Sequence, residues 1–332
     1  MKKISLLLSI IVLFTFQACK VDFSPNAEWK EIPIVFCVLD QDEDTIWARV
    51  QRCYLPNGDI QEPAMISDSI NFPQGYITVD MLAMNGNSVV DSFHFDYTTK
   101  TIDTGSFARE NQPMYYYVPS RKLDSAVTYR LIVRHTAGRD IIAEATTNLI
   151  SNENSELLYV NHGRPLFSFQ SSQSRNQYNI QWNGLTNARR YEPVIRFYYS
   201  ENSGQDTLYA DIPCGSVLHN GSSYVQMLYY GQHLFLADLK EALKDDPAPK
   251  NYLKTVDVFI TACNEDLNAY INSSSIGGVD QFHRTYSNIN NGKGIGIFAA
   301  RRTHLHQTID ADPSNGPRSL YQELLKLGLN FQ

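Results

Sequence analysis

The densest candidate chemistry lies in TYSNINNGKGIGIFAA, residues 285–300, where Gly292, Gly294 and Gly296 alternate and Lys293 sits between the first two. Glycines beside a lysine can cradle a phosphate. A phosphate loop, however, needs four residues between its first glycine and a Gly-Lys-Ser/Thr, and here Gly292-Lys293 is followed by Gly294. A dinucleotide loop needs a strand before it and a helix after it. Here SNINNG precedes and IGIFAARR follows, with Ile295, Ile297 and Ala299 alternating against Gly296 and Phe298. That alternation predicts a strand, and glycines inside a strand mark a bulge or a close backbone approach. The stretch therefore reads as a loop feeding into a strand.

Three other clusters invite a chemical reading. DQDEDT sets Asp40, Asp42 and Asp44 at the first, third and fifth positions of a calcium loop. The glycine needed at the sixth position is Thr45 and the glutamate needed at the twelfth is Gln51, so the run reads as a solvated hairpin turn. THLHQ places His304 and His306 two apart, on one face if they lie on a strand, but no third metal ligand is identifiable. MYYYVP offers Tyr115, Tyr116 and Tyr117. They could stack on a sugar or a peptide, although alternate tyrosines on a strand are more simply divided between core and rim. No nucleophile elbow, zinc-protease motif or acid–base carboxylate pair stands out. We therefore expect a non-enzymatic protein without cofactor or metal.

Past Cys19 there are four cysteines, Cys37, Cys53, Cys214 and Cys263, and no C-x-x-C pair. Cys37 and Cys53 flank a hairpin centred near Asp42, which puts Cys37 opposite about Trp47 and off register for a direct bridge. A Cys214–Cys263 disulfide is the better pairing, to be weighed against free buried thiols.

The elements that would position these groups begin after a leader. Residues 1–18, MKKISLLLSIIVLFTFQA, carry Lys2 and Lys3, then an apolar run from Ile4 to Phe16, then Ala18 before Cys19. The run is too short for a spanning helix of ~20 residues. The order resembles a bacterial lipoprotein signal, which implies that Cys19 becomes the first mature residue and carries lipid. Residues 19–30 then read as a polar tether. Removing the leader leaves 26 basic against 35 acidic side chains, a charge of −9. An acidic chain without basic blocks argues against nucleic acid as a partner.

The body reads as mainly β, two β-sandwich domains with a few short helices in the second. Residues 31–150 show strand signals about every ten residues, including IPIVFCVL, TIWARVQRCYL, GYITVDMLAM and VVDSFHFDY. In LDSAVTYRLIVRHTAGRDIIAEATT, Leu123 lies six residues before Tyr129, the spacing of the tyrosine corner in immunoglobulin-like and fibronectin-type sandwiches. NLISNENSEL, near residues 148–157, reads as a linker. The second domain, 151–332, has strand signals at QYNIQWN, YEPVIRFYYSE and TVDVFITAC. Helical spacing is expected near 233–245 (Leu234, Leu239, Ala242, Leu243) and near 317–328 (Leu320, Leu324, Leu327), both packed on the sandwich.

SNINNG…GIF resembles the closing SNI-x-NG-x-G-x-F signature of a large uncharacterised family of Bacteroidetes outer-membrane lipoproteins. The matching positions are Ser287, Asn288, Ile289, Asn291, Gly292, Gly296 and Phe298. TVDVFITACNEDLNAYINSSS and YLPNGDIQEPAMISDSI resemble other parts of that family. The resemblance implies a lipid-anchored, β-rich protein held at the outer membrane through Cys19, facing the periplasm or the surface. It also implies a binding or accessory role, with a TonB-dependent receptor or another envelope protein as partner. A structural or adhesive surface protein is the alternative, and an envelope or polysaccharide hydrolase ranks below both.

Overall fold

The computed structural model describes residues 30–54, 64–103, 108–151, 157–160, 177–201, 206–221, 224–275, 285–289, 294–310 and 320–332. The leader, Cys19 and nearly all of the tether lie outside these residues.

In chain order the strands are β1 (Pro33–Asp40), β2 (Ile46–Arg52), β3 (Ile77–Asn85), β4 (Ser88–His94), β5 (Asp96–Lys100), β6 (Gln112–Tyr117), β7 (Thr128–His135) and β8 (Ile141–Asn148). There follow β9 (Leu157–Val160), β10 (Gln177–Asn183), β11 (Arg190–Glu201), β12 (Thr207–Pro213), β13 (Val217–Leu218), β14 (Tyr224–Tyr230), β15 (Lys250–Cys263) and β16 (Ile295–Asp310). The helices are α1 (Ser67–Ile70), α2 (Gly231–Leu243), α3 (Glu265–Ser275) and α4 (Leu320–Leu324). None is long and apolar enough to cross a membrane.

The protein is mainly β and builds two sandwiches. A nine-stranded sheet runs β12-β11-β15-β16-β1-β2-β6-β5, with β13 beside β11. A four-stranded sheet, β4-β3-β7-β8, and a three-stranded sheet, β14-β10-β9, are the other sheets among the described residues. One buried cluster joins the four-stranded sheet to β1, β2 and β6 of the large sheet, through residues such as Val35, Val79, Met81 and Val133. The other joins β10 to β11 and β15 through Trp182, Tyr191, Phe197 and Val258. The sequence signal for these strands is strict alternation, which puts every second side chain on one face. Ile77, Val79, Met81 and Ala83 are all buried, as are Val256, Val258, Ile260 and Ala262.

Tyrosine hydroxyls lock both sandwiches. Tyr129 Oη accepts from the Asp124 N–H at 2.9 Å and donates to the Asp124 carbonyl at 3.2 Å. In the second sandwich Tyr191 Oη accepts from the Leu185 N–H at 2.7 Å. The two segments share one spacing, Leu123-x-x-Ala126-x-x-Tyr129 and Leu185-x-x-Ala188-x-x-Tyr191. Only the first was expected.

The two halves are not separated as the sequence suggests. Strand β16 belongs to both. Ile295 to Arg301 run parallel to β1, and Arg301 to Asp310 run antiparallel to β15. Phe298, Ala300 and Ile289 enter the first core, although they fall within the segment 151–332 assigned to the second domain. The expected linker also begins inside the cores: Leu149 packs in the first and Ile150 in the second. Running one sheet through both sandwiches pairs β16 with a strand of each half, while β12 and β5 remain its ends.

The helices pack on the second core, as expected, with details altered. Helix α2 buries Phe235, Leu236, Leu239 and Leu243, while Leu234 and Ala242 face solvent. Leu320 and Leu324 are fully buried in the short α4. Residues 317–319 of the expected C-terminal helix lie outside the described residues. Helix α3 was not expected. Its start is signalled by Asn264, whose Oδ1 accepts from the Leu267 N–H at 3.2 Å, and by Glu265 and Asp266 in the first turn.

Candidate binding groove

The glycine-rich stretch turns out to be a structural seam. Gly296 has φ +111, and a Cβ there would lie 1.9 Å from the Val35 carbonyl oxygen of β1. A Cβ on Gly294 would lie 2.5 Å from Ile289 Cγ2. The glycines permit the close parallel pairing of β16 on β1. Strand β15 ends at the Cys263–Arg301 pair, so among the described residues the first half of β16 has no strand on its other side. Asn288 fills that place: its Nδ2 donates to the Phe298 carbonyl at 2.8 Å, and its Oδ1 accepts from the Phe298 N–H at 3.0 Å. The Asn264 N–H continues the edge by donating to the Ala300 carbonyl at 3.1 Å. Ser287 donates to the Gly294 carbonyl at 3.3 Å. Asn291 and Gly292, the remaining residues of the motif, lie outside the described residues.

Beside this seam the two sandwiches enclose a groove of about 1020 Å³. One wall is made by β7 and β8, the other by the start of α3 together with Tyr286, Ser287 and Asn288. Both walls are fixed by hydrogen bonds. Asn264 Nδ2 donates to Thr147 Oγ1 at 2.8 Å, tying α3 to β8. Asn187 Nδ2 donates to the Leu149 carbonyl at 2.9 Å, and Arg302 donates to the Ser151 carbonyl at 2.8 Å. Tyr286 Oη donates to Asp266 Oδ1 at 2.6 Å, and burial, with that carboxylate beside it, pushes the phenol well above its ordinary range.

The lining is mostly hydroxyls and carboxamides, with three carboxylates (Glu144, Glu265 and Asp266), one guanidinium, Arg130, and the apolar side chains of Ile141 and Ala145. Arg130 pairs with Glu144, and Arg189 reaches Glu265 at 3.0 Å from outside the lining. Such a surface can hydrogen-bond a polar ligand and favours cationic groups. Sequence reading reached two of its residues, Ser287 and Asn288, through the family motif. It read IIAEATT only as a strand and NEDLNAY only as part of a family-like segment, and placed neither in a site.

The other singled-out residues that the structure describes do not line this groove. In the acidic hairpin, Asp40 Oδ1 accepts from the Asp42 N–H at 3.1 Å while its Oδ2 accepts from Arg301 at 2.7 Å. Tyr115 is buried against Tyr97, Tyr116 faces out beside Trp47 with ring centres 5.6 Å apart, and Tyr117 packs on Phe93. The three are divided between core and rim. The backbone register sets His306 opposite Phe259, and the side chains of His304 and His306 lie outside the described residues. Among the described residues no group of three or more His, Cys, Asp or Glu is placed to hold a metal.

Cys214 and Cys263 are both free thiols, so the expected disulfide is not formed. The register explains this. Cys214 follows the end of β12 and donates its N–H to Pro193, whereas Cys263 lies opposite Arg190 on the far side of β11. The two are therefore offset by three residues along the sheet and by two strand positions across it. Cys37 pairs with Ala48, one residue from the expected partner, and is also free.

No protein-family model and no curated protein matches the chain. Among solved structures it is similar to a cytokine receptor complex at 9% identity, over 85% of this chain and 98% of that one, with a TM-score of 0.22. It is also similar to the chicken CNTN1 FN1–FN3 domains at 8% identity, over 69% of this chain and 60% of that one, with a TM-score of 0.25. The fold assignment rests on the strands, the cores and the tyrosine bonds rather than on these likenesses.

Proposed function

We propose that the chain is a non-enzymatic binding or accessory lipoprotein, tethered to the outer membrane through lipid on Cys19, that engages an envelope protein through the groove between its sandwiches. A TonB-dependent receptor is the partner class suggested by the family resemblance. The observation that carries the reading is the groove itself: about 1020 Å³ with a polar lining, bounded by a strand and a helix start that are bonded to each other. Rigid walls reduce the ordering cost of binding. A lipid tether also confines the protein near its partner and raises the effective concentration.

A second reading, adhesion through the surface, is favoured by exposed Val89 and Val90 on strand β4 and exposed Val118 after β6. Large exposed side chains of this kind mark contact surfaces when they cluster.

Two variants test the proposal in intact envelopes. Cys19→Ser should release the protein from the membrane fraction. Glu265→Lys should leave it anchored but abolish recovery of its partner. Retention of Cys19→Ser at the membrane would refute the anchor, and unchanged partner recovery by Glu265→Lys would refute the groove. Loss of recovery by a Val90→Lys variant instead would favour adhesion.

A further inference from the structure

The outer face of the large sheet carries a patch of rings and cations away from the groove. Strand β2 alternates, so Ala48 and Val50 enter the first core while Trp47, Arg49 and Gln51 face outward. Trp47 lies opposite Tyr116 of β6, with ring centres 5.6 Å apart. Lys100, exposed on β5 at the end of the sheet, folds back so that its Nζ sits 3.2 Å from the centre of the Trp47 ring. Arg49 stands two residues along β2 from Trp47, about 6.8 Å away, and opposite Phe36 of β1. Tyr270 of α3 meets Phe36 edge-on at 5.9 Å and borders the patch on that side. Arg49 is the unusual member. It is half-buried, and among the described residues its Nε is shielded from water without a hydrogen-bond partner. Burial alone pushes its pKa down, with no carboxylate acting against it. A cation held this way lacks the counter-ion that normally offsets its desolvation. On the outward positions of β1, β2, β5 and β6 the carboxylates are Asp40, already paired with Arg301, and Asp96, exposed opposite Tyr116.

We infer that this patch is a second binding site, for an acidic sugar whose ring stacks on Trp47 and Tyr116 and whose carboxylate pairs with Arg49. A sugar ring presents a C–H face that packs on an aromatic ring, and a guanidinium takes a carboxylate through two parallel N–H bonds. Trp47 and Arg49 on one strand supply both parts side by side. Lys100 is exposed, so its hold on the indole is weak, and it moves off the ring to share the ligand's charge. The cations lie low on this face: the Arg49 Nε is buried and the Lys100 ammonium rests on a ring. A single sugar ring reaches both, whereas a membrane surface needs cations that project from the protein. The site shares no residue with the groove lining, so it stands or falls apart from the groove reading.

The test titrates the full chain with trigalacturonate and with a hyaluronan tetrasaccharide, against the neutral trisaccharide of galactose, following heat and tryptophan emission. At least one acidic sugar should bind, change the emission, and hold about tenfold more tightly than the neutral one, with an affinity that falls as salt rises. Arg49→Gln should weaken binding about tenfold, the loss of a charge-assisted pair. Lys100→Gln, at an exposed position that the fold does not depend on, should weaken it by a smaller factor. Arg49→Met should abolish binding while keeping or raising the urea midpoint, because it removes a half-buried charge without a partner. A lower midpoint for Arg49→Met with binding unchanged would make Arg49 structural and overturn the site. Binding of neither acidic sugar, equal binding of the neutral one, or binding that neither Arg49→Gln nor Lys100→Gln alters would overturn it too. Capture by phosphatidylglycerol vesicles in place of either sugar would assign the patch to a membrane surface and overturn the sugar reading.

Discussion

Leu149 and Ile150 are consecutive in the chain and both fully buried, yet each packs in a different core. The peptide bond between them crosses from one sandwich to the other. Strand β16 ties the same two halves together again, pairing with β1 through Ile295–Arg301 and with β15 through Arg301–Asp310.

Truncating either residue should therefore destabilise the protein. Leu149→Ala and Ile150→Ala should each cost about 2–5 kcal/mol, the range for buried aliphatic truncation. Inserting Gly-Ser between them should split one urea transition into two. A single transition of unchanged midpoint would show that the cores are not coupled there.

The parallel seam depends on two glycines. Gly296→Ala should cost on the order of 3 kcal/mol or more, because its Cβ meets the Val35 backbone at a φ that L residues avoid. Gly75 also has positive φ, but a Cβ there meets nothing within 4 Å. Gly75→Ala should cost only about 1–2 kcal/mol of backbone strain. Denaturant unfolding of the two variants side by side checks the difference; equal losses would remove the steric account.

The second tyrosine corner has a separate consequence. Tyr191→Phe leaves the Leu185 N–H without its acceptor in a buried site and should cost about 1–3 kcal/mol. A loss within error in calorimetry would mean that water or relaxation replaces the bond.

Much of the fold was legible because one face of each strand is buried, so polarity alternates along GYITVDMLAM and TVDVFITAC. What was not legible came from pairing between distant segments. No local signal in IGIFAARRTHLHQTID says that one half pairs with Pro33–Asp40 and the other with Lys250–Cys263. The Leu-x-x-Ala-x-x-Tyr spacing at 185–191 was available, since 123–129 has the same pattern. Polar residues around Leu149 and Ile150 made a buried crossing look like a linker. The groove was legible only at Ser287 and Asn288, because its other wall comes from β7 and β8, over a hundred residues earlier in the chain.

The cysteines give a pH prediction. Burial pushes the Cys37, Cys214 and Cys263 thiols up to about 12, from an ordinary 9.0. Unfolded thiolates form from about pH 9 while the folded thiols stay neutral. Each buried thiol therefore contributes stability below pH 9 that is lost as pH rises from about 9 to about 12. Iodoacetamide at pH 8 should modify half-buried Cys53 first and the other three only on unfolding. Equal labelling of all four in the native protein would contradict this burial pattern.

The most direct test of the binding account is site-specific photo-cross-linking in intact envelopes. A photoreactive residue at Thr146, inside the groove, is compared with one at Tyr209, exposed on the outer face of β12. The account predicts one discrete adduct from position 146, lost in a Glu265→Lys background, and none from position 209. An adduct of equal yield from both positions, or from 209 alone, would contradict it.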